Sequence, residues 1–361
     1  MVGSDGALDI SVVWHPDTDR HRDITGVWIG VPEPGDEEPD RTAAIATALR
    51  ALDAPFVEAD AHDDTTLLAV HDREYVEFLD TAHSQWVADG YPERGGQPNV
   101  MPYLFPSRAF TLGESPRRPG ALHAWVGRFA TDTMTPIAAG TAVAARAAFD
   151  CALTAADLVV HGARSAYALT RPPGHHVGRD FFGGSCYLNN AAGAAAHLRR
   201  NGLDRVAIID IDAHHGNGTQ AIFYDRADVW FGSVHVDPAA GWYPHFVGHA
   251  DETGRGDGRG ATMNVPLPET SGDAEWIEAV AVLSAHAARG RPDAVVVSLG
   301  VDAALEDPNS PLGVTEAGFR VGGAAIAAID VPTVFVQEGG YVVDRLGAYV
   351  AATLDGFRRG S

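Results

Sequence analysis

The sequence predicts an α/β fold built on a mostly parallel sheet, and three observations lead there. Short apolar runs rich in β-branched residues, such as Val206 to Ile211 and Asp293 to Leu299, have the near-continuous hydrophobicity of strands buried on both faces. These runs alternate along the chain with segments of helical spacing, the order that βαβ units produce. Just past the ends of the runs stand Asp212 with His214, Asp302, and Tyr341, where open sheets of this class bind their ligands.

Ile10 to Trp14 reads as a first strand, closed by His15-Pro16-Asp17. Residues 32–40, rich in proline and acid, read as an exposed loop. From Arg41 to Leu52 the positions Ile45, Ala48, Leu49 and Leu52 share one helical face. Leu67 to Val70 reads as a short strand, and His71 to Trp86 as a helix with Tyr75, Phe78 and Leu79 on its apolar side. Residues 90–122 are punctuated by Gly and Pro yet carry Tyr103, Leu104, Phe105 and Phe110. A loop of that length inside a compact domain is expected to rim a site or meet another subunit.

Ala138 to His161 is an alanine-rich helix ended by Gly162. Ser165 to Leu169 leads into Arg171-Pro172-Pro173-Gly174-His175-His176, a rigid turn carrying a pair of histidines. Asn190 to Arg200 is a helix stopped by Asn201-Gly202. Val229 to Val234 is a strand ending near His235, residues 251–260 a polar loop, and Asp273 the cap of a helix reaching Ala288. After the strand at 293–299, Ala317 to Ile329 is helical. Val331 to Val336 is a last strand, running into Gln337-Glu338-Gly339-Gly340-Tyr341. No repeat and no linker divides the chain, so a single domain over 1–361 is expected, with a loop insertion at about 90–122.

Bulk properties narrow the function. Lys and Arg number 26 against 48 Asp and Glu, a net charge of −22 that repels nucleic acid phosphates and anionic membranes. It would attract cations such as polyamines, although an acidic surface is also a common solubility device. Two cysteines, Cys151 and Cys186, make no disulfide framework. No signal-peptide pattern and no apolar run of membrane-spanning length is present, so a soluble, cytoplasmic protein is expected.

Charges at the end of a buried strand are costly unless they bind something, and a metal is the expected partner. Asp212 and His214 flank one residue, so in an extended segment both side chains reach the same side. With Asp302 they offer one nitrogen and two oxygens, leaving positions open for water and substrate as catalytic zinc sites do. Two adjacent imidazoles near a metal can divide the work between proton transfer and electrostatic support. Asp210 and Asn217 are the natural partners for fixing the tautomers of His175 and His176. Tyr341, freed by Gly339-Gly340, could donate to a developing oxyanion.

RPPGHH at 171–176, GGSCYLNN at 183–190, IIDIDAHHGNGTQ at 208–220, SLGVD at 298–302 and QEGGY at 337–341 occur in that order. Together they resemble the zinc-dependent histone deacetylase superfamily, and especially its class II-like bacterial acetylpolyamine amidohydrolases and histone-deacetylase-like amidohydrolases. The resemblance implies an arginase–deacetylase fold with a central parallel sheet of about eight strands flanked by helices. It implies one zinc per chain on Asp212, His214 and Asp302, and a structural potassium near Asp210, Asp212, His214 and Ser233. His176 matches the general base and acid, His175 its electrostatic partner, Asp210 and Asn217 their orienting residues, and Tyr341 the oxyanion donor. The implied reaction is hydrolysis of an N-acyl amide, releasing the amine of an acetylated polyamine, another small acylated amine or acetyl-lysine.

Departures bear on the substrate. Tyr243 matches one aromatic wall of the acyl channel, but Ser185, after Gly184, stands where the second ring is usual. The channel is therefore expected to be wide. Asn309 occupies the place of a glutamate gate in a polyamine-selective relative, Glu114 is an acidic group in the long loop, and Ala213 is expected to leave room beside the metal. Relatives with a long early loop often dimerise, so a homo-oligomer is expected. Two other readings share the fold: a ureohydrolase with two manganese ions, which needs more carboxylate ligands, and a non-catalytic acyl-amine binder, whose usual mark is loss of a ligand or of the tyrosine.

Overall fold

The structure is a computed structural model describing residues 7–22 and 24–360. The strands are β1 (Ser11–Trp14), β2 (Thr25–Trp28), β3 (Val31–Pro34), β4 (Phe56–Glu58), β5 (Ser165–Ala168), β6 (Val206–Asp210), β7 (Val229–Val236), β8 (Thr262–Leu267), β9 (Ala294–Leu299) and β10 (Thr333–Gln337). The helices are α1 (Asp40–Arg50), α2 (Asp64–Val70), α3 (Arg73–Ala88), α4 (Tyr91–Gly95), α5 (Leu122–Trp125), α6 (Thr141–Val160), α7 (Asn190–Arg200), α8 (Asn217–Phe223), α9 (Asp273–Arg289), α10 (Glu316–Ala327) and α11 (Val343–Gly360). Eight strands form one parallel sheet in the order β4-β1-β5-β10-β9-β6-β7-β8. The expected single-domain architecture is therefore present.

Alternation along the strands splits the core into two layers. Ile208, Val296, Val334 and Val336 face a cluster with α2, α3, α6 and α7. Ile209, Val295, Val297 and Phe335 face the opposite cluster with α1, α9, α10 and α11. Every one of these side chains is fully buried, which is why the runs carry no polar alternation. Removing Phe335, stacked edge-on to Phe357 at 5.0 Å, would open a cavity costing about 3–5 kcal/mol.

Several elements depart from the sequence reading. Residues 32–34, expected as loop, belong to an exposed strand, β3, paired antiparallel with β2; a two-stranded edge tolerates Pro32 and Pro34 because neither needs to donate to the ladder there. Leu67 to Val70 is the end of α2, capped by Asp63, whose carboxylate accepts the Thr65 N–H at 2.9 Å. The cap outweighs the weak strand preference of so short a run. Asp273 does not cap α9; Gly272 does, while the Asp273 carboxylate accepts from the Thr315 amide and hydroxyl, both at 2.7 Å. Leu52, assigned to the buried face of α1, is exposed beyond its end. Within 90–122 the chain forms α4 and the start of α5, and it bridges Val100 to Ile137. No helix among the described residues is long and apolar enough to cross a membrane.

Candidate metal centre and catalytic cleft

Strands β6, β9, β10 and β5 lie together in the middle of the sheet, so the loops after them meet above its centre. The loop after β6 brings Asp212 and His214, the loop after β9 brings Asp302, and the loop after β10 brings Tyr341. The turn after β5 brings His175 and His176. All the residues expected from the strand ends converge there.

His214 Nδ1 lies 2.9 Å from Asp302 Oδ2 and 3.3 Å from Asp212 Oδ1, and one ligand atom from each of the three lies within 4.8 Å of the others. Backbone amides hold both carboxylates: Ala213 N–H donates to Asp302 at 2.8 Å, and His214 N–H and Gly339 N–H donate to Asp212 at 2.9 and 2.8 Å. Close approach requires glycine, since a Cβ on Gly300 or Gly339 would come within 1.9 or 2.4 Å of these carboxylates. Two buried carboxylates that pair with no lysine or arginine among the described residues, facing an imidazole nitrogen, fit a divalent cation.

The histidine turn sits beside this group. His175 Nδ1 is 3.0 Å from Asp210 Oδ2, and His176 Nδ1 is 2.7 Å from Asn217 Oδ1, the two pairings expected. The rings are 4.0 Å apart. Burial alone would lower the pKa of His175, but Asp212 and Asp210 outweigh it and hold the imidazolium up to about 10. Burial, with the charges of His175 and His214, keeps His176 well below its ordinary range and neutral. Donating its Nδ1 proton to Asn217 leaves the lone pair on Nε2. Neutral base and charged neighbour are thus assigned to different rings.

The Tyr341 N–H donates to Asp307 at 2.7 Å. Among the described residues its hydroxyl has no hydrogen-bond partner, and burial raises its pKa. The Tyr243 ring stands edge-on to His176 at 4.7 Å, and its hydroxyl lies 3.1 Å from Thr131 Oγ1. Gly184 lies between them, since a Cβ there would come within 2.2 Å of His176 and 2.9 Å of Tyr243. Ser185 is half-buried in left-handed backbone (φ 62°). The Asn309 side chain donates to Asp36 at 3.0 Å. Glu114 is exposed on the long loop. Ala213 does not open space beside the metal group: it is fully buried in the core layer facing α1, α9, α10 and α11, because an extended chain that sends Asp212 and His214 up sends the residue between them down. His215 is buried with Nε2 3.1 and 3.2 Å from the side-chain oxygens of Gln220 and Asn264.

A buried ionic network was not foreseen. Arg41 donates to the carbonyls of Gly340 (2.6 Å) and Glu338 (2.5 Å) and to Glu37 (2.7 Å), and its guanidinium lies 4.8 Å from the centre of the Tyr341 ring. Glu37 is also 3.0 Å from Arg171, which anchors the histidine turn on the carbonyls of Thr18 and His21. The Glu338 carboxylate accepts from Gly174 (2.6 Å) and His175 (3.1 Å) N–H groups. Asp132 holds the Gly184 N–H at 2.7 Å. The available signal was Glu37-x-x-x-Arg41, an ion-pair spacing at a helix start, hidden inside a segment that looked solvent-exposed.

Behind the turn, His71 is fully buried, with Nδ1 2.8 Å from the Gly178 carbonyl and Nε2 accepting the Asn189 N–H at 3.0 Å. That pairing requires the neutral ring, and burial pushes its pKa down to about 4, as it does for His21. An unfolded chain would take up protons below about 6.5 that these rings refuse. Their stabilisation is therefore complete above pH 6.5 and lost as pH falls towards 4, by up to about 3 kcal/mol each. The denaturation midpoint should drop across that window, and His71→Gln should flatten the drop; an unchanged midpoint from pH 7 to 4.5 contradicts this account.

Comparison with known proteins agrees with the geometry. Residues 35–357 match the histone deacetylase domain. An acetylpolyamine amidohydrolase of Mycoplana ramosa is 40% identical over 346 residues, 96% of this chain and 98% of that protein. Acetylpolyamine amidohydrolase 1 of Pseudomonas aeruginosa is 44% identical over 291 residues, 81% of this chain and 82% of that protein. The crystal structure of an acetylpolyamine aminohydrolase from Burkholderia pseudomallei superposes with a TM-score of 0.91 at 39% identity, covering 98% of this chain and 99% of that one. With the matched domain spanning most of its length, the chain belongs to the histone deacetylase family and is a hydrolytic deacetylase.

Proposed function

We propose that the protein is a cytoplasmic, zinc-dependent amidohydrolase that removes the acetyl group from acetylated polyamines or closely similar small amines. The observation that carries this reading is the meeting of Asp212, His214 and Asp302 with a neutral histidine, a charged histidine and an unpartnered tyrosine hydroxyl. Relatives named for acetylpolyamine hydrolysis, and the net charge of −22, support a cationic small-molecule substrate.

When bound at Asp212, His214 and Asp302, the zinc would supply Lewis acidity, polarising the acyl carbonyl and making water nucleophilic near neutral pH. The chain's own residues do the rest. His176 Nε2 accepts the proton of the attacking water and returns it to the departing amine nitrogen. His175, charged through Asp210, biases the site towards the developing negative charge. The Tyr341 hydroxyl donates to the oxyanion, and Arg41 holds the loop from which that hydroxyl projects. Tyr243 and Gly184 border the acyl chain, Ser185 gives width where a ring would grip, and Asn309 with Asp36 lines the rim. A structural potassium completes the proposal near Asp210, Asp212, His214 and Ser233, the last of which pairs in register with Asp210.

Chelation should abolish turnover and one equivalent of zinc should restore it; a requirement for two manganese ions supports the ureohydrolase reading instead. A panel of acetylputrescine, acetylspermidine, acetyl-lysine peptides and longer N-acyl amines should favour the acetylpolyamines. Equal, fast turnover of the peptides overturns the small-molecule preference.

The segment 95–118 supports a homodimer in the same reading. Tyr103, Phe110 and Leu112 are 76%, 72% and 90% exposed, an apolar group that a second copy would cover. Deleting 95–118 should convert a dimer to a monomer in sedimentation; unchanged size and activity would remove the idea.

A further inference from the structure

Two histidines outside the cleft share one carboxylate. His62, in the segment between β4 and α2, places Nε2 3.0 Å from Asp157 Oδ2, and His197 on α7 places Nε2 2.6 Å from Asp157 Oδ1. Their rings stand 5.5 Å apart at 83°, and the three groups each offer a donor atom within 4.8 Å of the others. The imidazoles are sheltered, with side chains 14% and 13% exposed, while Asp157 at 33% keeps one side open to solvent.

The far nitrogens each face a polar neighbour. His62 Nδ1 lies 3.5 Å from Asp150, and His197 Nδ1 lies 3.3 Å from the Thr66 hydroxyl. Metal-bound histidines characteristically have such a partner on the nitrogen that does not ligate. When the His62 ring is neutral with its proton on Nδ1, its Nε2 lone pair and a carboxylate oxygen of Asp157 face each other at 3.0 Å, a gap that either a proton or a metal ion fills. Local charge points the same way. Asp64, Asp150 and Asp157 outnumber Arg146, the guanidinium that reaches Asp64 and Asp150. With neutral imidazoles, a divalent ion balances what remains.

We propose that His62, His197 and Asp157 form a second metal site, for an imidazole-favouring divalent ion such as Zn²⁺ or Ni²⁺, which ties α6 and α7 to the segment entering α2. Two nitrogens and a carboxylate oxygen suit those ions rather than Mg²⁺ or Ca²⁺. The site is separate from the cleft. Asn190, at the start of α7, touches the Pro172 carbonyl beside the catalytic turn, and His197 lies seven residues further along the helix, about 10 Å away. The ion is structural, fastening two helix ends and an edge strand, and no step of hydrolysis passes through it. Its competitor is a proton, which hydrogen bonding to Asp150 and Asp157 holds on His62 up to about 9 in the metal-free protein, burial opposing.

The test uses active enzyme carrying its first equivalent of zinc, titrated with further Zn²⁺ at pH 8 and counted by elemental analysis after dialysis. The wild type should take up a second equivalent per chain with unchanged kcat, and its denaturation midpoint should rise by about 4 °C at zinc 100 times the dissociation constant. His62→Ala and His197→Gln should each lose the second equivalent and the rise while keeping activity. Should either variant fold poorly, Cu²⁺ added to the wild type gives an independent readout, since its electron paramagnetic spectrum should show two imidazole nitrogens. A wild type that stops at one equivalent overturns the proposal, as does a second equivalent that survives in the double variant. Failure of the cleft reading is distinguishable, because there the first equivalent would not restore turnover.

Discussion

His176→Ala should lower kcat by about 10²–10⁴-fold, with zinc content unchanged. The loss is large because no neighbour can take over. His175 sits 4.0 Å away by ring centres but is held protonated by Asp212 and Asp210, so it has no lone pair to offer. His176 has its tautomer fixed at Nδ1 by Asn217 at 2.7 Å, and its Nε2 is the free base of the pair. KM should change little, since in the proposed mechanism the ring moves a proton rather than gripping the amine. Metal analysis separates this from collapse of the site, and turnover close to wild type would remove His176 from the mechanism.

The second large effect is expected of Tyr341→Phe, which deletes a hydroxyl and leaves the ring under Arg41. A fall in kcat of about 10²–10³, equal to about 2.7–4 kcal/mol of transition-state stabilisation, is the usual consequence of removing one oxyanion donor. KM should stay near wild type, because the donor acts on charge that exists only in the transition state. Arg41→Ala should show a milder version, since the guanidinium reaches the oxyanion only by holding the Glu338 and Gly340 carbonyls. If Phe at 341 supports normal kcat, the tyrosine is a wall and not a donor.

Much of this was legible from the chain alone because parallel strands buried on both faces cannot hide their composition. The runs ending at Ile211, Leu299 and Val336 are enough to place Asp212, Asp302 and Tyr341 on one rim. The need to fix two tautomers pointed to Asp210 and Asn217 as partners, and the family resemblance implied which histidine each one takes. Elements at the edge were harder. Strand β8 carries polar and small residues with Pro266 inside it, and α8 has only seven residues, so neither announces itself by periodicity. The Glu37–Arg41–Arg171 network was invisible for a different reason: burial of three charges follows from long-range closure, and its local sequence reads as surface. Ala213 leaves no room beside Asp212 and His214, because alternation sends its side chain into the core.

Strand β10 has a consequence for how the chain is born. It lies between β5 and β9, yet in chain order it is the last of the eight strands of this sheet. Without it, β4-β1-β5 and β9-β6-β7-β8 share no strand pairing, and β5 and β9 would each carry an unpaired parallel edge. A nascent chain stopped after Asp330 would hold nearly all the catalytic side chains and still be inert and adhesive, because unpaired parallel edges invite wrong partners. Arrival of β10 closes the gap and delivers Glu338, Gly340 and Tyr341 in the same movement. The strand that completes the sheet is therefore also the one that carries the loop of Glu338, Gly340 and Tyr341.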